Sequence, residues 1–141
     1  MQDTNTLTIE KIGTIVFPGS IPSINNFIDA TRQHRMAGVK FTKEWVDEGF
    51  CRAKNFMAEN FPDGFTPLNK GVWLNVKVFR NNLRARDVHN TFIKPILDGF
   101  TEAKLWADDN EKVVPKVTFE YCGVDKENPR VEFEIYQEVE N

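Results

Sequence analysis

Residues 71–80, GVWLNVKVFR, and residues 91–104, TFIKPILDGFTEAK, decide how this chain folds. In the first, Val72, Leu74, Val76 and Val78 face one way, and Trp73, Asn75, Lys77 and Phe79 the other. A period of two is the signature of a strand. In the second, Phe92, Ile93, Ile96, Leu97, Phe100 and Ala103 recur at three- and four-residue spacing, which predicts a helix with one apolar face. Asn90 or Thr91 suits its N-cap. Pro95 then falls in the first turn or so, where a missing N–H costs little.

Downstream, residues 112–121, KVVPKVTFEY, place Val113, Val117, Phe119 and Tyr121 on one face of a strand. Pro115 marks it as an edge or a bulge. Residues 130–137, RVEFEIYQ, turn Val131, Phe133 and Ile135 inward and Glu132 and Glu134 outward. With the turn CGVDKENP between them, the two segments predict an antiparallel hairpin with one wet face.

Upstream, residues 6–17, TLTIEKIGTIVF, read as a strand bent at Gly13. PGSIPSINNF, with two prolines and a glycine, reads as a loop. It runs on into the polar, basic IDATRQHRMAGVK, also read as solvated loop. Residues 42–60 predict a helix on Trp45, Val46, Phe50, Ala53 and Met57, with Thr42 as N-cap and a Phe41–Val46 staple. Phe61-Pro62-Asp63-Gly64 ends it. The order of elements predicts a single α+β domain: a mixed sheet of four strands packed with two main helices.

Composition fits a folded domain, with 40% hydrophobic residues and bulky core material in twelve Phe and three Trp. No apolar run approaches the roughly 20 residues that cross a bilayer. The first residues, MQDTNTLTIEKIG, lack the pattern of a signal peptide, so no membrane and a cytoplasmic location are expected. Cys51 and Cys122 are expected as free thiols, Cys51 beside the apolar stripe of its helix. The net charge of −3 is unevenly spread. Residues 70–104 carry seven Lys/Arg against three Asp/Glu, whereas residues 105–141 carry four against ten. A local basic surface binds phosphates even on an acidic protein, because fields are screened over roughly 10 Å.

Chemistry concentrates in Arg84–Asp109, RARDVHNTFIKPILDGFTEAKLWADD. Asp87 precedes the second helix, Lys94 lies within it, and Asp108-Asp109 follow it. A straight helix of about 14 residues is about 21 Å long. The acids meet only if the flanking chain folds back or a second subunit supplies one. Together they would suit Mg2+, a hard cation that takes one or two carboxylates. Lys94 would stabilise charge on a phosphate, and Arg84 and Arg86 would clamp its neighbours. The same residues also read as an acidic turn, a helix N-terminal charge and a surface lysine. His34 and His89 are the only histidines. There is no zinc-spaced Cys/His cluster, no glycine-rich phosphate loop and no serine nucleophile elbow.

This segment resembles the RusA-type Holliday junction resolvases. The resemblance rests on Arg86-Asp87-Val88-His89-Asn90, then Ile93-Lys94-Pro95-Ile96-Leu97-Asp98, then Trp106-Ala107-Asp108-Asp109, with Pro22-Ser23-Ile24-Asn25 after the first strand. It implies a RusA-like fold and a homodimeric, metal-dependent endonuclease acting on branched DNA, the four-way junction. Asp87, Lys94 and Asp109 would be the catalytic residues. The metal, Mg2+ or Mn2+, would be held by Asp87 and Asp109 with Asp108 beside them. Arg84 and Arg86, and an arm bearing Arg32, Arg35 and Lys40, would contact DNA. The chain departs from the pattern where a second aspartate is expected. His89 stands there, or Asn90 if the one-residue gap is shifted. Either His89 serves as a neutral ligand, favouring Mn2+, or the chain binds junctions without cutting them.

Overall fold

The computed structural model describes residues 7–82 and 91–140. Four strands and three helices follow in the order β1 (Leu7–Pro18), α1 (Ile24–Gln33), α2 (Arg35–Asn60), β2 (Val72–Arg80), α3 (Lys94–Glu102), β3 (Lys116–Val124) and β4 (Arg130–Glu140). The strands form one mixed sheet in the order β1-β4-β2-β3. β4 is antiparallel to both β1 and β2, and β3 is parallel to β2. The α+β class with a four-stranded mixed sheet is as expected, with a third helix added.

The expected hairpin does not form. β3 and β4 are joined by a short turn, but β2 lies between them. β2 supplies Val72, Leu74 and Val76, each at most 1% exposed. A strand with that much apolar surface is best buried with neighbours on both sides. β3 takes the edge, as Pro115 suggested. It also starts later than expected. Asn110 Oδ1 accepts from the N–H groups of Lys112 (3.0 Å) and Val113 (3.3 Å), holding residues 110–113 in a turn.

The core lies between one face of the sheet and the helices. Phe17, Phe100 and Phe133 stack within 5.1–6.2 Å of one another, and Phe100 meets Trp106 edge-on at 5.7 Å. Truncating such a ring to alanine costs about 3–5 kcal/mol. The bend at Gly13 is a β-bulge, seen as a register shift between Lys11 and Gly13. It keeps Lys11 and Thr14, three residues apart, on the face away from the helices. Gly13 has no side chain because the Phe56 ring occupies that space; a Cβ there would lie 2.5 Å from it.

Helix α2 is longer than expected, and α1 was not expected at all. Ser23 and Asn26 form a capping box: Ser23 Oγ accepts from Asn26 N–H at 3.0 Å, and Asn26 Oδ1 accepts from Ser23 N–H at 3.1 Å. His34 is extended and breaks the helix, and its Nδ1 accepts from Met36 N–H at 3.0 Å to start α2. Gly38 lies within α2. It lets Thr31 of α1 press onto α2, where a Cβ would meet Thr31 Oγ1 at 2.5 Å. Thr42 is therefore mid-helix, donating to Gly38 O rather than capping. Cys51 is exposed instead of packed, and both cysteines are free thiols. Among the described residues, no helix is long and apolar enough to cross a membrane.

Candidate functional site

Helix α3 begins at Lys94, three residues later than its periodicity predicts. Ile93 is the N-cap and offers no side-chain hydrogen bond. Thr91 is not the cap; its hydroxyl lies 3.1 Å from the Tyr121 hydroxyl of β3. Pro95 occupies the first turn, as expected. The loop before α1 packs here too: Ser23 bridges Thr91, and Phe92 N–H donates to Pro22 O at 3.1 Å. The Pro22-Ser23-Ile24-Asn25 motif thus sits against the residues that introduce Lys94. Beside it is a cavity of about 370 Å³ lined by Pro22, Asn26, Arg80, Asn82 and Thr91 among others.

The other end of α3 decides where Asp109 goes. Lys104, with φ 68°, adopts the left-handed conformation. Its N–H donates to Thr101 O, and Leu105 N–H donates to Phe100 O, closing the helix with a tight reversal. Trp106 then turns into the core, fully buried, and its indole N–H donates to Thr101 Oγ1 at 2.7 Å. Leu68 clamps the returning chain: its N–H donates to Leu105 O, and its carbonyl accepts from Ala107 N–H. Nine helical residues span about 13–14 Å. Seven residues of extended chain reach up to roughly 23–25 Å, enough to run back along the helix.

They do run back. Asp109 Oδ2 lies 2.9 Å from Lys94 Nζ, at the start of α3. Asp98, one turn along the helix, accepts from the same ammonium at 2.7 Å. Lys94 is 62% exposed, while Asp109 is only 18% exposed. The hydrogen bond from Lys94 holds the Asp109 carboxyl below its ordinary value, against burial that pushes it up; the Lys94 charge adds to the lowering. The hydrogen bonds to Asp98 and then Asp109 raise Lys94 to about 12, against some desolvation. Lys94 and Asp109 are therefore both charged at neutral pH.

Asp108 plays a different part. Its Oδ1 accepts from Asp109 N–H at 2.8 Å, and its Oδ2 from the Asn110 amide at 3.0 Å. Its carboxylate shapes the loop that presents Asp109. Asp98 stands in the quoted Ile93–Asp98 motif but was given no role from the sequence, although its position four residues after Lys94 on a helix was the available signal. Arg84, Arg86, Asp87 and His89 lie outside the described residues, as does Asn90. Arg32, Arg35 and Lys40 are exposed, on the last turn of α1 and the first turns of α2 rather than on a loop.

Among the described residues, no group of three or more Asp, Glu, His or Cys side chains is placed to hold a metal ion. Two carboxylates, Asp98 and Asp109, do converge on one positive charge, the Lys94 ammonium. That pair of hard oxygen donors fits a cation such as Mg2+, which completes its shell with water and phosphate. No protein-family model matches the chain, and no curated protein matches it.

Proposed function

We propose that this protein is a metal-dependent endodeoxyribonuclease that resolves four-way DNA junctions as a homodimer. The observation that carries this reading is the return of Asp109 to the first residue of α3, beside Lys94. Sequence spacing alone put Asp109 beyond the far end of the helix that carries Lys94. Their meeting supports the resemblance to RusA-type resolvases in the part of the motif that is described.

The roles follow from charge and exposure. Asp109, with Asp98, would hold the cation, joined by Asp87 and by His89 from the segment before α3. When bound, Mg2+ supplies charge neutralisation at the scissile phosphate and a more acidic water. Lys94 bears an exposed ammonium able to turn from the carboxylates to a phosphate oxygen, where it stabilises developing charge. Asp108 keeps Asp109 in place. Arg32, Arg35 and Lys40, with Arg84 and Arg86, would grip the backbone. A four-way junction is approximately two-fold symmetric, so a symmetric dimer presents two matched sites to it.

The test is a synthetic four-way junction incubated with the protein and either Mg2+ or Mn2+. Paired symmetric nicks are expected, and they should vanish in Lys94→Met and Asp109→Asn. One feature favours a second reading, in which the protein binds junctions without cutting. His89 stands where the family pattern has an aspartate. Tight junction binding with no nicks in either metal, and nicks gained by His89→Asp, would establish that reading instead.

A further inference from the structure

β3 is an edge strand whose outer side is uncovered: among the described residues no strand lies beyond it. All of Lys116–Glu120 is exposed, including Val117 at 39% and Phe119 at 41%. These two apolar residues pair with Leu74 and Val76 of β2, so they continue the helix-side apolar face past the edge of the sheet. The other edge of the sheet is different. β1 carries the bulge at Lys11/Gly13, which spoils it as a template for further pairing. β3 keeps unbroken register with β2 from Lys116 to Tyr121.

The exposed sequence is Lys116-Val117-Thr118-Phe119-Glu120. It is complementary to itself when reversed about Thr118. Set antiparallel to a second copy, Lys116 faces Glu120, Val117 faces Phe119, and Thr118 faces its counterpart on the two-fold axis. Opposite charges, an aromatic with a β-branched residue, and threonine with threonine are all favoured cross-strand pairs. The pairing also keeps faces: Val117 and Phe119 stay on the helix side, and Lys116 and Glu120 stay on the open side. Sliding the register by two residues breaks it. One direction brings Pro115, which has no N–H, opposite Phe119; the other sets Lys116 against Cys122. A one-residue slip would place apolar against charged side chains.

We propose that β3 is a dimer interface, occupied by β3 of a second copy of this chain in that register. The two four-stranded sheets join into one of eight strands, with the axis at Thr118 perpendicular to the sheet. The partner is fixed by charge complementarity and by the uninterrupted edge. This stands on the chemistry of the strand and does not rest on the nuclease reading.

Charge exchange tests it. In the full-length protein, Lys116→Glu leaves two acids facing two acids across the axis, and Glu120→Lys leaves two lysines facing two lysines. Sedimentation velocity over a concentration series should show wild-type dimer, and each single variant should dissociate roughly tenfold or more readily. An equimolar mixture of the two singles restores every opposite-charge pair, and so does the double variant; both should sediment as dimers. An unchanged far-UV circular dichroism spectrum with a cooperative thermal melt would show that the singles remain folded, the midpoint itself falling with loss of the dimer. A monomeric wild type, a dimer indifferent to either single change, or a mixture that stays monomeric overturns the proposal. Junction cleavage is scored separately, so failure here leaves the site at Lys94 untouched.

Discussion

Lys94 is bound to two carboxylates at once, and that sets what it does in the absence of a metal ion. Its ammonium occupies the place where a cation would bring Asp98 and Asp109 together. Lys94→Met should therefore have opposite effects on two measurements. Divalent-cation binding, followed by calorimetry, should tighten about 1.4- to 5-fold, matching the roughly 0.2–1 kcal/mol of an exposed ion pair. Junction cleavage should be lost. Carboxyl NMR should show the Asp109 pKa rising, because the depressing hydrogen bond is gone while its partial burial remains. The pH window follows from the same shifts. Asp109 is depressed, so its contribution to stability is present above its ordinary value near 3.8 and is lost as pH falls through the lower folded value. Lys94 is raised, so its contribution is full below its ordinary 10.5 and is lost as pH climbs through about 12. Across pH 5–9, roughly the range of ordinary assays, the pair stays intact. A change in cleavage rate within that window must come from another group.

At the scale of elements, the site depends on two features of α3: its close crossing with α2 and its left-handed end. Gly49 and Gly99 let the helices touch backbone to backbone. A Cβ on Gly49 would lie 2.5 Å from Ile96 O, and one on Gly99 would run into Val46 O and Phe50 N. Gly99→Ala should cost about 1–3 kcal/mol as overpacking, read as a lower urea midpoint. Lys104 sits at a position that glycine prefers, at φ 68°. Left-handed backbone costs a residue with a Cβ about 1–2 kcal/mol, partly offset by the greater unfolded-state freedom of glycine. Lys104→Gly should then stabilise by about 0.5–1 kcal/mol and raise the melting midpoint by about 2–4 °C. These devices also show what could be read in advance. The alternation of β2 and the body of α2 are local patterns, and both were legible. So was the bulge at Gly13. Helix α1 was not, because its polar composition hid a Ser23–Asn26 box, and the aromatic contacts of Phe27 with Phe41 and Phe92 come from distant segments. The return of Asp109 needed a reversal at a lysine and a clamp by Leu68, neither of which has a sequence signature at that spacing. The strand order was missed because sequence neighbours usually pair, and here β2 had the stronger demand for burial.

Over the whole molecule, the net charge of −3 says little about how DNA would be met. The acidic C-terminal part is largely answered within the sheet. Glu134 takes hydrogen bonds from Lys11 and Asn75 and lies 3.8 Å from Lys77. Burial pushes its carboxyl up, but those hydrogen bonds and lysine charges outweigh it and leave it lowered. Glu132 is paired with Arg130, and Glu138 accepts from the Trp73 indole. The α1–α2 corner, by contrast, presents Arg32, Arg35 and Lys40 to solvent. Phosphate binding by such a corner releases counterions, so junction affinity should fall linearly in log–log terms with salt, by about 0.9 per phosphate contacted. Arg35→Ala should weaken binding alike for junctions of different sequence and reduce that slope by about one. Fluorescence anisotropy with a labelled junction at four or five salt concentrations measures both. An unchanged slope in a folded Arg35→Ala protein would remove this corner from the DNA surface. The contacts would then have to come from Arg84 and Arg86, whose substitution should lower the slope in its place.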